Sequence, residues 1–306
     1  MRNLKFDLNV ETNALLCPNP QEFYSKAYIS EDIVNNFRTL PGIKSATKIA
    51  NVLFEDVLKA SSCNFSADTQ NLDAIDIDVC ALSAMAELCR FDLEQSFISM
   101  QMVKGSNSSF EVPAFMAYYW DEMAKEIGEE IAVLRWQGNT GGTTSTYLDL
   151  CDGYQVKFAG DADIVDVSAT ASITVANVIG EMSRVLQALP SAVQGRTNDL
   201  RFYVSSDIAV IFRIASASGN STAFITKDLD LSFLGIKIVV QEGMGTKKMV
   251  LTLKDNLIYA FDGEGDTTAL KAVNLEDTVA EPLLRTRANL KVGFHYVNPT
   301  EIVYYA

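Results

Sequence analysis

The stretch Trp120–Gly142, "WDEMAKEIGEEIAVLRWQGNTGG", decides how the rest of the chain is read. Met116, Trp120, Met123, Ile127, Ile131 and Leu134 step by three or four, which lines one side of a helix with apolar side chains. Asp121, Glu122, Lys125, Glu126, Glu129 and Glu130 cover the other side. Upstream, Ser108 and Glu111 have the spacing of a capping box, and Pro113 suits a first helical turn. Downstream, Gly138 suits a C-terminal cap. A helix of about 24 residues is ~36 Å long at ~1.5 Å per residue. Such a length needs a partner surface. It is either the wall of a pocket with a phosphate loop behind it, or a strut in something larger.

The chain has 306 residues, enough for one large domain or two ordinary ones. With 48% hydrophobic and 21% charged residues, it has the composition of a folded globular protein. A formal net charge of −14 repels nucleic acid and anionic membrane, because phosphate recognition needs clustered Lys and Arg. No run approaches the ~18 apolar residues of a membrane span, and the first residues lack the apolar segment of a signal peptide. Cytoplasmic synthesis of a soluble chain is the expectation. Cys17, Cys63, Cys80, Cys89 and Cys151 are odd in number, widely spaced and without a CxxC pair, so free thiols are expected.

Working outward, residues 1–40 carry little apolar periodicity. "CPNP" at 17–20 forbids a helix there, and a short helix over "PQEFYSKAY" follows. This reads as an arm held by a neighbouring chain. From Lys44, "KSATKIANVLFEDVL", "KASSCNFSADTQ" and "NLDAIDIDVCALSAMAELC" read as strand, loop and strand. Ile75, Ile77 and Val79 alternate with Asp76 and Asp78, the period of a strand with one wet face. A two-stranded hairpin is marginal alone in water, so it must lie on its own domain or on another subunit. "FDLEQSFISMQM" predicts a short helix before the long one.

After residue 147 the texture is α/β. "YLDLCDGYQVKF" and "ASITVANVIGEMSRVLQALP" predict helices, and "LRFYVSS" predicts a strand that leads into the helix "DIAVIFRIAS". "LSFLGIKIVVQEGM" predicts a buried strand, and "KKMVLTLKDNLIYAFD" a strand and turn. "RTRANLKVGFHYVNPTEIVYYA" predicts two strands parted at Asn298-Pro299.

Chemistry is scarce. The one histidine, His295, sits in a predicted strand and reads as packed or hydrogen-bonded; its solitude excludes His-rich metal sites. "GNTGGTTS" (138–145) lacks the Lys of a phosphate loop and follows a helix, so it reads as a flexible connector. "GMGT" (243–246) and "GEGD" (263–266) read as turns. Acidic groups at 161–167 and 228–231 have spacing that could hold Mg²⁺ or Ca²⁺, but in so acidic a chain they read as solvated edges. No catalytic, cofactor-binding or metal residue is assigned, no cofactor is expected, and the chain is not read as an enzyme.

The order of these parts resembles the major capsid proteins of tailed bacteriophages with the HK97 fold. "LPGIKSATKIANVLFEDVLKASSCNFSADTQ" resembles that family's extended loop, and "VPAFMAYYWDEMAKEIGEEIAVLRWQGNT" its spine helix. "YLDLCDGYQVKF" resembles the segment that opens its axial domain. "LGIKIVVQEGM", "LKDNLIYAFD" and "VGFHYVNPTEIVYY" resemble its late strands. The resemblance covers residues 40–306 and lies in the ordered set. It implies an α+β fold with an N-terminal arm at 1–40 and an extended hairpin leading into a peripheral domain at 41–90. It places the peripheral domain with its spine helix at 91–140 and an α/β axial domain at 141–280. Strands at 281–306 return through the peripheral domain to the axial one.

The implied function is structural. Copies assemble into hexamers and pentamers of an icosahedral head, locked by arm and hairpin, that encloses DNA without binding it specifically. Portal, scaffolding or decoration proteins are implied partners, no membrane is, and the implied location is the virion. Many relatives begin with a helical scaffolding region that this sequence lacks, so scaffolding would come from a separate protein or be absent. The family's Lys–Asn crosslink is not supported; Lys59 reads as an ordinary solvated lysine. Two alternatives stand beside this reading: an encapsulin-like compartment shell, and a cytosolic α/β metal-dependent enzyme.

Overall fold

The computed structural model describes residues 17, 19–28, 31–53, 71–89, 113–143, 146–169, 172–218, 231–262 and 270–306. The chain forms two compact units. The first comprises Met1–Ser30, Ala81–Ile131 and Gly263–Lys291; the second comprises Glu31–Cys80, Ala132–Asp262 and Val292–Ala306. The predicted helix "FDLEQSFISMQM", the Ser108–Glu111 capping box and Lys59 lie outside the described residues.

In the first unit, helix α1 (Pro20–Tyr28) and the long helix α3 (Pro113–Gln137, which continues into the second unit) meet strands β4 (Cys80–Cys89), β11 (Leu270–Asn274) and β12 (Leu283–Tyr296). β11 runs antiparallel to β12, with Lys271 opposite Arg287 and Val273 opposite Arg285. β4 pairs with β12 as well. Alternation along β12 puts Leu284, Thr286, Ala288 and Leu290 inside and Arg285, Arg287 and Asn289 outside, as the pleat requires. The α3 stripe is buried as its period predicts, with Ala124 in the core where the sequence suggested Met123.

The predicted helix over "PQEFYSKAY" is α1. It is amphipathic and buries Phe23, Tyr24, Ala27 and Tyr28. Phe23 meets Trp120 edge to face at 5.5 Å between ring centres, and the Tyr28 hydroxyl accepts a bond from the Lys291 amide at 2.9 Å. This part of the expected arm is therefore packed against its own chain. Four buried residues in a nine-residue helix supply the surface that the wider window diluted.

The second unit is built on a six-stranded sheet, ordered β5 (Val165–Val167), β13 (Val303–Tyr305), β9 (Met249–Leu253), β6 (Leu200–Ser205), β8 (Ile236–Gln241) and β7 (Ser232–Phe233). Helices α5 (Val178–Ala188) and α7 (Ser206–Ser218) pack on it through Val178, Met182, Val185, Ile208 and Phe212. β6 and β8 are parallel, joined through α7, as the α/β texture predicts. "LSFLGIKIVVQEGM" forms two strands rather than one: β7 and β8 turn at Leu234-Gly235, both at positive φ. "YLDLCDGYQVKF" likewise divides, into a 3-10 turn at Tyr147–Leu150 and helix α4 (Tyr154–Gly160). Of "ASITVANVIGEMSRVLQALP", only Val178–Ala188 is helical.

Strand β1 (Arg38–Pro41) runs parallel to β10 (Leu257–Asp262). The hairpin pairs β2 (Thr47–Leu53) with β3 (Asn71–Ile77), from Thr47 opposite Ile77 to Leu53 opposite Asn71. The alternation ends at Ile77, two residues earlier than the sequence suggested, and Cys80 starts a strand of a different sheet.

One expectation is overturned outright. Cys80 and Cys151 form a disulfide, with Cα atoms 5.8 Å apart and a sequence separation of 71. Spacing along the chain does not report which cysteines the fold brings together. Cys17 and Cys89 are free.

Candidate functional site

The last turn of α3 is buried on every side, which no amphipathic pattern anticipates. Leu134, Arg135 and Trp136 are all buried, Arg135 at 4% exposure. The polar groups of this turn converge on the end of β8. The Arg135 Nη2 donates to Gln241 Oε1 at 2.8 Å, and the Trp136 Nε1 donates to the same oxygen at 3.0 Å. Gln137 Nε2 donates to the Gly243 carbonyl at 2.7 Å, and Gln155 Nε2 to the Met244 carbonyl at 2.6 Å. The Arg135 guanidinium also lies over the Phe37 ring, 4.7 Å from its centre. Phe37, Trp136, Tyr154 and Tyr203 make one aromatic cluster, and the Tyr203 hydroxyl donates to the Asn36 carbonyl.

Gly243 is placed by contact: a Cβ there would sit inside the Ala132 carbonyl. Gly138 is hemmed in the same way by the Cys151 and Leu134 carbonyls. Residues 138–143 are therefore not a loose connector. Thr140 bonds Asp152 Oδ1 through its amide at 2.7 Å and its hydroxyl at 2.9 Å, and the Gly141 amide bonds Asn139 Oδ1 at 2.9 Å. The described groups of the loop are spent on holding the helix exit.

The root of the hairpin is fastened to the same region. Ile77 is fully buried with Ile258 and Ala260. The Asp78 carbonyl fills the space a side chain at Gly293 would need. Two residues on, Cys80 is bonded to Cys151 beside the helix exit. Beyond this root β2 and β3 pair only with each other, with Lys48 and Asp76 exposed and 3.2 Å apart. A two-stranded ribbon is marginal on its own strands.

The described residues among the chemical candidates are engaged in local hydrogen bonds. Nδ1 of His295 accepts from the Tyr296 amide at 2.8 Å; burial, and then the Lys157 charge, hold its pKa below the usual histidine value. Lys157 Nζ donates to the Phe294 carbonyl at 2.6 Å, and burial lowers its pKa. Asp161 accepts the Tyr296 hydroxyl at 2.6 Å, while Asp166 is exposed on β5. Of 228–231 only Leu231 is described, and 263–266 lies outside. Among the described residues no group of three or more His, Cys, Asp or Glu converges for a metal ion. Among the described residues no helix is long and apolar enough to cross a membrane.

No family model matches the sequence, and no curated protein matches it. Solved structures do. A chain of the satellite phage P4 procapsid including size determination (Sid) protein superposes with a TM-score of 0.61 at 10% identity, covering 93% of this chain and 96% of that one. The chain has a phage-capsid fold. The same α+β capsid fold appears in the capsid of the empty GTA particle, with a TM-score of 0.54, 14% identity and 90% of each chain covered. It appears also in a virus-like particle from Pyrococcus furiosus, with a TM-score of 0.50, 11% identity and coverage of 96% and 97%. Within this capsid fold the described elements in play are the buried end of α3, its Gln241 anchor and the rooted β2–β3 ribbon. The anchor and the disulfide were not legible in sequence; a Trp-Gln-Gly exit with an Arg on the buried side was the one available signal.

Proposed function

We propose that the chain is the major capsid protein of a tailed phage, built on the HK97 plan and assembling into hexamers and pentamers of an icosahedral head around DNA. The observation that carries this reading is the likeness to the P4 procapsid chain over nearly the whole length of both. The ribbon supports it: an element rooted by Ile77, Gly293 and Cys80, whose described strands pair only with each other, has strand edges to offer a neighbouring copy. In this reading 41–90 is the extended loop and the entry to the peripheral domain, 91–140 the peripheral domain with α3 as its spine, 141–280 the axial domain and 281–306 the returning strands. The role is structural, and no residue is assigned to catalysis.

The likeness to the Pyrococcus furiosus particle supports a second reading of the same assembly, a compartment shell. Sedimentation velocity of the expressed chain tests both. Rapidly sedimenting particles of many subunits are expected. Nucleic acid within them favours the head and protein cargo the compartment, while a species of one or two subunits at all concentrations contradicts both.

A further inference from the structure

The first unit carries exposed patches of opposite charge. Helix α3 packs inward on the sheet, the Tyr119 hydroxyl meeting the Thr286 hydroxyl at 2.8 Å, while α1 bonds the same strand at Lys291. Helix α3 is acidic where it is exposed, at Glu122, Glu126 and Glu129. Glu122, Glu126 and Glu130 follow one another at intervals of four, with Glu129 beside them, and Lys125 is the one basic residue between 121 and 130. Like charges at this interval destabilise an isolated helix by about 0.2–0.5 kcal/mol per pair. Asp121 is neutralised by Lys26, but none of these glutamates has an ion-pair partner among the described residues. Burial, and then the Glu126 charge, push the Glu130 carboxyl up.

The outer face of β4, β12 and β11 is the reverse. A groove of about 440 Å³ is lined by Met85 and Val273, 71% and 45% exposed, and rimmed by Lys271, Arg285 and Arg287, with Glu87 paired to Arg285. Arg287 is held by neutral groups, Asn289 Oδ1 at 2.9 Å and Ser83 Oγ at 3.2 Å. In a chain of net charge −14 this is a local excess of positive charge.

We propose that the basic, apolar-floored outer face of the β4–β12–β11 sheet docks the glutamate ridge of α3 in a second copy of this chain. Charge complementarity selects the occupant: the ridge supplies carboxylates at helical spacing for Lys271 and Arg287, and Tyr118, 56% exposed one turn before Glu122, supplies an apolar end for Met85 and Val273. The ridge and the sheet face are different patches of one chain, so joining them is a heterologous contact, which leaves a free sheet face on one copy and a free ridge on the other and therefore repeats, giving rings where the rotation closes. The inference rests on the shell reading only in that both need copies of the chain to associate.

Charge swaps test it. E122K/E126K and K271E/R287E each set like charges against each other and should weaken association by tenfold or more, on the order expected for such juxtapositions. All four substitutions in one chain re-pair every contact with its sign reversed, and particles should return in sedimentation velocity. Circular dichroism checks the fold of each variant; Glu122→Gln with Glu126→Gln replaces the reversal where folding is disturbed. Particles unaffected by either two-site variant, or a four-site variant that stays dispersed while folded, overturn the docking face and leave the shell reading intact. A wild-type chain that never associates overturns both.

Discussion

Arg135 directs its guanidinium at the side-chain oxygen of Gln241, 2.8 Å away and buried, with no carboxylate within ion-pair distance among the described residues. A neutral amide thus holds a buried cation at the end of the long helix, and shares that oxygen with the Trp136 indole. A buried charged donor that loses its acceptor costs about 2–3 kcal/mol. Gln241→Leu should lower unfolding stability by about that amount in urea titration, with the slope unchanged. A loss below about 0.5 kcal/mol would show that other groups hold Arg135.

Gly243 and Gly160 make a matched pair. A methyl at Gly243 collides with the Ala132 carbonyl, whereas nothing lies within 4 Å of one at Gly160, in helix α4. Gly243→Ala should destabilise by several kcal/mol or prevent folding, because backbone must move. Gly160→Ala should be neutral or add about 0.4–1 kcal/mol. Thermal melts of the two variants distinguish contact from mere loss of glycine.

The disulfide closes a loop spanning 71 residues. Loss of a bridge of that span costs about 2–4 kcal/mol. Denaturation with and without reductant should show this difference in the wild type and none in Cys80→Ser. Equal alkylation of Cys80 and Cys151 in oxidised and reduced samples would contradict the pairing.

His295 supplies a pH dependence that is unusually easy to assign, since the chain has one histidine. Its folded pKa lies below the ordinary 6.5, so below 6.5 the unfolded chain binds more protons than the folded one. Stability therefore falls as pH drops through 6.5 toward the folded value, and is unaffected by this group well above 6.5. His295→Gln should flatten the loss between about pH 7 and 5 relative to wild type. Identical pH profiles would contradict it.

Some of this was legible in the residues and some was not. The stripe from Met116 to Leu134 gave the long helix its position, and Asn298-Pro299 parted the last two strands where the structure parts them. Periodicity says which face is buried, however, not against what. Gln241 looks like an ordinary strand-end polar residue until Arg135 and Trp136 are beside it in space. Cys80 and Cys151 are unremarkable at 71 residues apart until the hairpin root and helix exit meet. The β3–β4 break at Asp78-Val79 was hidden because both strands share one alternating pattern while joining different sheets. Phe23, Tyr24, Ala27 and Tyr28 were readable as a buried face, but the polar residues around them masked it.

The central claim is that copies of this chain build a closed shell. Negative-stain electron microscopy of the heaviest fraction of the expressed protein tests it most directly. The account predicts closed polyhedral particles, or rings of five and six subunits where closure is incomplete. A uniform field of single subunits, in a sample whose fold is intact by circular dichroism and at concentrations where sedimentation velocity shows no larger species, would contradict it.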